Sequence, residues 1–118
     1  MHCLGIRCAI TVEENKSETI IAATRELLQK MVDANAIDVD EIAAVWFTTT
    51  VDLDAEFPAV AARRMGWHTT ALICGHEMNV PGSLPLCIRV MLLWNTDKHK
   101  DEIVHIYLKE AETLRTEF

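Results

Sequence analysis

Arg7 and Arg89 lie inside stretches with the composition of buried strands, Leu4-Gly5-Ile6-Arg7-Cys8-Ala9-Ile10 and Leu86-Cys87-Ile88-Arg89-Val90-Met91-Leu92-Leu93. Neither stretch contains a carboxylate. A guanidinium keeps its proton at any working pH, and desolvating it is expensive unless an anion and its hydrogen bonds compensate. Two kinds of anion qualify: a small anionic ligand in a cavity, or an acid of the chain itself, Glu77 foremost. Residue types alone leave both readings open, because structural ion pairs also place Arg indoors.

Alternation along the second stretch sets Leu86, Ile88, Val90 and Leu92 on one face and Cys87, Arg89, Met91 and Leu93 on the other, so Arg89 projects from an apolar face as a pocket lining requires. Glu77 follows the preceding strand, where the loop Gly75-His76-Glu77 can aim a carboxylate across the sheet end, toward Arg89, a ligand or both. The five histidines form no triad-like or metal-spaced cluster, and a single Cys/His proximity such as Cys74-Gly75-His76 is weak evidence for a metal. Glycine-rich phosphate loops, dinucleotide fingerprints and the GxSxG elbow are all missing. Fixed donors without an evident nucleophile suit either simple binding or a reaction that needs only positioning and charge stabilisation.

These side chains need rigid elements to hold them. Residues 3 to 12 read as a strand, followed by a polar turn and Ser17, which can cap a helix. Ile20, Ile21, Thr24, Leu27, Leu28, Met31 and Val32 then recur at three- and four-residue spacing, predicting an amphipathic helix from about 18 to 34. Asp38 to Glu41 has capping-box spacing and opens a single turn before a central strand, Ile42 to Thr50. Pro58 and Gly66 bracket a short second helix. Further strands are expected over Thr69 to Cys74, Leu86 to Trp94 and Val104 to Leu108, with a loop from Asn79 to Pro85. This order predicts an α/β (α+β) fold, one mixed sheet with helices on one face, in a single domain over 1–118.

The chain has 118 residues and a formal net charge of -7, and its six Arg and five Lys form no run or helical stripe, which argues against nucleic acid as a partner. No apolar run reaches bilayer length and the N-terminus lacks a signal pattern, so a cytoplasmic protein without membrane association is expected. Cys3, Cys8, Cys74 and Cys87 show no CxxC pair and read as free thiols, not as a metal site. Half of the residues are apolar, Trp46, Trp67 and Trp94 among them, and a homo-oligomer would give them somewhere to go.

Taken in order, Gly5-Ile6-Arg7, Ala9 to Glu13, Phe57-Pro58-Ala59 with Arg63, Glu77-Met78, Cys87 to Val90, Asn95-Thr96-Asp97 and His105 to Leu108 resemble the monofunctional, trimeric α/β class of chorismate mutases. The resemblance runs from near residue 4 to Arg115. It implies a homotrimer built around a closed, barrel-like sheet core, with active sites at the subunit interfaces. It also implies that chorismate rearranges to prephenate, in aromatic amino-acid biosynthesis, by a unimolecular Claisen shift without cofactor or metal. By the same resemblance Arg89 donates to the ether oxygen, Arg7 holds a carboxylate and Tyr107 donates to the enolpyruvyl carboxylate. Glu77 and Cys74 hold the ring hydroxyl, Phe57, Ala59, Arg63, Leu72, Ile73 and Leu114 line or close the pocket, and Arg115 adds charge near its mouth. Three departures stand out. Val60 replaces a long polar residue of some relatives, Cys8 replaces a common Gly and is expected to pack, and the sequence ends at Phe118, short of a longer tail. The same arginines would also serve a non-catalytic trimeric binder or sensor of a small carboxylate metabolite.

Overall fold

The computed structural model describes residues 1–116; the chain end at Phe118 lies outside the described residues. Five strands, β1 (His2–Thr11), β2 (Ile42–Thr49), β3 (Ala71–His76), β4 (Cys87–Thr96) and β5 (Ile106–Leu108), make one sheet in the order β3-β2-β4-β1-β5. The sheet is mixed: β4 runs antiparallel to β1 and β2, while β3 is parallel to β2 and β5 parallel to β1. Two α-helices, α1 (Ser17–Asn35) and α2 (Ala59–Arg64), lie on one face.

That face is the main core. Ile6, Cys8 and Ile10 of β1, Val45 and Phe47 of β2, and Ile88, Val90, Leu92 and Trp94 of β4 meet Ile20, Leu27, Leu28 and Met31 of α1. The two-residue period of the strands and the three- and four-residue period of α1 thus converge on one apolar layer, which leaves the odd-numbered side chains of β1 and β4 on the opposite face.

Several boundaries depart from the sequence-based expectation, each for a pairing reason. Strand β3 continues through Gly75 and His76 because Thr48 and Thr49 of β2 remain available as partners. Strand β4 extends to Thr96 because β1 pairs with it along its whole length, from His2↔Thr96 to Thr11↔Cys87. Strand β5 is shorter, since Val104 is held by a side chain and not by a strand. Ser17 does not cap α1. Lys16 occupies the cap position without a side-chain bond, and Ser17 Oγ instead donates to Glu56 Oε2 at 3.0 Å. Asp38 does accept the Asp40 N–H, at 3.0 Å, over a 3-10 turn, Val39–Glu41. A C-terminal 3-10 helix, Lys109–Thr116, was not anticipated. It crosses to the face away from α1 and α2, where Ala111 and Leu114 cover Ala9, Cys87 and Tyr107.

Asn35, buried at the end of α1, joins the helix to the segment that enters β5. Its Nδ2 donates to the Met31 and Val104 carbonyls at 3.0 and 2.9 Å, and its Oδ1 accepts the Val104 N–H at 2.8 Å. The amide supplies both of these donated bonds and the accepted one from a single side chain. Asn35→Ala should therefore lower unfolding stability by roughly 2 kcal/mol, read from urea denaturation, because it leaves strongly polar groups short of partners. An unchanged midpoint would show that water replaces the amide.

Candidate active site

The face opposite the helices carries two rows of side chains defined by strand register. The first runs Gly75, Thr48, Arg89, Ala9, Tyr107 across all five strands. The second runs Ile73, Trp46, Met91, Arg7 across β3, β2, β4 and β1. Arg89 and Tyr107 therefore stand two strands apart, about 10 Å between Cα atoms, with only the methyl of Ala9 between them. Where β5 has not yet begun, the side chain of His105 stands beside Arg7, and the Arg7 backbone N–H donates to His105 Nδ1 at 3.0 Å.

These rows surround a cavity of about 210 Å³ lined by Arg7, Arg89, Tyr107, Glu77, Thr48 and Trp46, among others. Both arginines are half-buried. The Arg89–Glu77 ion pair left open by the sequence is not formed: among the described residues no carboxylate bridges Arg89, and Glu77 Oε2 instead accepts from Thr48 Oγ1. The Glu77 backbone N–H donates to the Thr49 carbonyl at 2.8 Å, so β2 fixes this residue at both ends. Burial raises the pKa of the Tyr107 phenol, against the pull of Arg7 and Arg89, and a protonated phenol is a hydrogen-bond donor. The cavity thus presents two cations and a neutral donor on one side and a carboxylate on the other.

The remaining residues expected at the site lie elsewhere in the chain. Phe57 and Cys74 line a separate cleft of about 290 Å³ between β3 and the loop that leads into α2. Burial raises the pKa of the Cys74 thiol, while the Ala59 N–H that hydrogen-bonds it and the nearby Arg63 act the other way, which brings Ala59, Arg63 and Cys74 together. Leu72 packs against the main core. Phe57 and Ile73 are exposed, 67% and 57%, and Ile73 faces the arginine side. Leu114 is buried beneath Tyr107 and shares a groove with Arg89, whereas Arg115 is exposed. The loop bearing Phe57 is pinned by Asn15, whose Oδ1 accepts the N–H groups of Asp54 and Ala55 at 3.1 and 3.0 Å, and by the Ser17–Glu56 bond.

Thr48 and Trp46, which belong to no motif, complete the surroundings together with Ala9, Met91 and His105. Strand parity of β2 was the one signal available for Thr48 and Trp46. Cys8 packs into the main core with Ile6 and Ile10, and burial pushes its thiol up to about 12; Cys87 is likewise pushed up to about 11. All four cysteines are free. Among the described residues no group of three His, Cys, Asp or Glu side chains converges as a metal site would need, and no helix is long and apolar enough to cross a membrane.

Burial lowers the pKa of His105 from its ordinary 6.5, and the Arg7 charge adds to the effect. Neutral His105 is the form whose Nδ1 can accept the Arg7 N–H. Because the unfolded chain takes up this proton first, the stability His105 contributes is complete above its unfolded value and is lost as pH falls through the lower folded value. Between about pH 7 and pH 5, the melting temperature of the wild type should fall more steeply than that of His105→Gln, which accepts a hydrogen bond but does not titrate. Parallel curves would show that the bond survives protonation.

The chain matches the family described as "Chorismate mutase type I" over residues 3–118. It is 56% identical over 112 residues to "Chorismate mutase AroH" of Thermus thermophilus, covering 94% of this chain and 92% of that protein. It is 40% identical over 116 residues to "Chorismate mutase AroH" of Bacillus subtilis (strain 168), covering 98% and 91%. Among solved structures, a chorismate mutase from Clostridium thermocellum superposes with a TM-score of 0.92 at 51% identity, covering 93% of this chain and 98% of that one. A match of this extent places the chain in the chorismate mutase type I family, a family of isomerases.

Proposed function

We propose that the family's reaction, the rearrangement of chorismate to prephenate, is carried out here by electrostatic stabilisation and positioning from the residues of the arginine cavity. The observation that carries this reading is Arg89 itself: half-buried, without an ionic partner among the described residues, and facing a cavity shared with Arg7, Tyr107 and Glu77. Chorismate is a dianion whose ether C–O bond breaks as a new C–C bond forms, with negative charge gathering on the ether oxygen in between. Arg89 donates to that oxygen, Arg7 holds one carboxylate, and Tyr107 donates to the enolpyruvyl carboxylate. Glu77 accepts from the ring hydroxyl, which restrains the substrate in a compact, chair-like shape. The reaction is unimolecular, so no side chain has to act as nucleophile. A fixed donor aimed at developing charge is worth roughly 3 to 4 kcal/mol in a preorganised site, and positioning contributes beyond that.

The protein works, in this reading, as a cytoplasmic homotrimer with each active site shared between two subunits. A cavity of about 210 Å³ falls below the roughly 300–1,000 Å³ typical of ligand pockets, which favours a site enlarged by a neighbouring subunit. Trp46, Ile73 and Met91, 45%, 57% and 36% exposed, form an apolar stripe beside it. The strand parity that points Glu77 toward the arginines points Cys74 toward the helix side. If both residues hold the ring hydroxyl, they come from different subunits, with Phe57, Ala59, Arg63 and Leu72 entering beside the Cys74 of the neighbour, and Leu114 and Arg115 near the mouth. The three sheets together would enclose the barrel-like core.

Purified protein should convert chorismate to prephenate, and Arg89→Ala should lose at least about a hundredfold in turnover while keeping its melting temperature. Arg89→Lys should stay well below wild type, since an ammonium keeps the charge but not the planar fork. A folded wild type that binds chorismate without releasing prephenate would leave a binder and not an enzyme. Native mass spectrometry should give three chain masses, and Trp46→Glu should yield monomers without turnover, because a charge on the apolar stripe resists burial. Full activity in a monomer would overturn the shared site.

A further inference from the structure

We infer that Thr48 is a positioning residue for Glu77, its hydroxyl selecting which carboxylate oxygen is presented to the ligand. The inference rests on the reading above, in which Glu77 accepts from the substrate's ring hydroxyl.

Glu77 sits one residue beyond the end of β3, where the chain leaves the sheet. A glutamate there has three side-chain torsions and, unanchored, would spread its carboxylate over many positions. Here the Glu77 N–H is tied to the Thr49 carbonyl at 2.8 Å, and Oε2 is held by Thr48 Oγ1. One oxygen, Oε1, is left to meet a ligand. Thr48 suits this role better than a flexible donor would. It is β-branched, so its first torsion is restricted, and its backbone lies between two paired strands, opposite Arg89 on β4 and Gly75 on β3. Gly75 brings no side chain that could compete for the hydroxyl.

The neighbouring threonines show that the arrangement is specific to this position. Thr49 faces the other way, is buried, and donates to the Leu53 carbonyl at 3.2 Å. Thr50 donates to Asp52 Oδ1 and accepts the Cys87 N–H at 3.0 Å, closing the turn after β2. Of the three, Thr48 alone lines the cavity. Because Thr48 is also the cross-strand partner of Arg89, a single residue sets the separation between the cation that meets the ether oxygen and the carboxylate that meets the ring hydroxyl. In the assembled site the hydroxyl acts on the reaction only through Glu77.

The test is a double-mutant cycle on chorismate turnover using Thr48→Val, Thr48→Ser, Glu77→Ala and Thr48→Val/Glu77→Ala. Valine preserves shape and strand preference while removing the donor. Thr48→Val should lower kcat by about tenfold, the scale of one lost charge-assisted hydrogen bond, with KM moving less than about threefold. Thr48→Ser, which keeps the donor, should restore kcat to within about twofold. In the Glu77→Ala background Thr48→Val should change kcat by less than about twofold, because the group it orients is gone. Equal losses in both backgrounds would mean that Thr48 touches the substrate or supports the fold independently, and would overturn the inference. So would a Thr48→Val enzyme as active as wild type. A wild type inactive on chorismate would bring down the functional reading and this inference together, whereas an active wild type with additive losses brings down the inference alone.

Discussion

The architecture answers to one constraint: a guanidinium cannot be neutralised, so a sheet that carries one among apolar side chains must supply an anion or leave room for one. Arg89 projects, half-buried, from the middle strand of five. The fold leaves room. Ala9 beside it is the smallest side chain that a strand can offer short of glycine, Gly75 lies at the end of the same row, and the one carboxylate within the cavity is turned toward Thr48. A bulkier residue in place of Ala9, which lines the cavity, would take up the space into which the guanidinium points.

The two faces of the sheet divide the work. One face is a conventional core, where α1 seals Ile6, Phe47, Ile88 and Leu92 and supplies most of the apolar burial. Stability gained there lets the opposite face keep charged and apolar side chains side by side without packing them against each other. The C-terminal 3-10 helix covers only one end of that second face, over Ala9, Cys87 and Tyr107, and leaves Trp46, Ile73 and Met91 in the open. In the proposed trimer, this apolar stripe is where a second copy of the chain would complete the site. Phe57 and Cys74 line a separate cleft on the other side of β3.

Hydrogen bonds at the sheet margins hold this arrangement where strand pairing ends. His105 stands in for a strand neighbour at Arg7, Asn35 does so at Val104, and Thr48 anchors Glu77 just past β3. In each case a side chain supplies a hydrogen bond beside or beyond the end of a strand pairing. The loop of Phe57 is held in the same manner by Asn15 and Ser17, so residues that read as ordinary turn and cap formers act here as ties across the fold.

Short-range information was enough for much of this. The alternation around Arg7 and Arg89, the helical period from Ile20 to Val32, and the bracketing of α2 by Pro58 and Gly66 are local patterns, and the elements they predict are present. The arginines could be singled out because a permanent charge in an apolar strand is anomalous whatever surrounds it. Ser17 illustrates the limit: its type suited a helix cap, but a carboxylate 39 residues away competed for its hydroxyl, and no local rule foresees that. The extents of β3 and β4 likewise depended on partners being present across the sheet. Residue chemistry and period therefore determined which segments are strands and helices and which charges need an answer. Only the tertiary structure decided that Thr48, Arg89, Ala9 and Tyr107 share one row, that Glu77 turns to Thr48 and not to Arg89, and that Cys74 looks away from the arginines. Strand order and register arise from contacts between segments far apart in the chain, and a shift of one residue would have sent every one of these side chains to the other face.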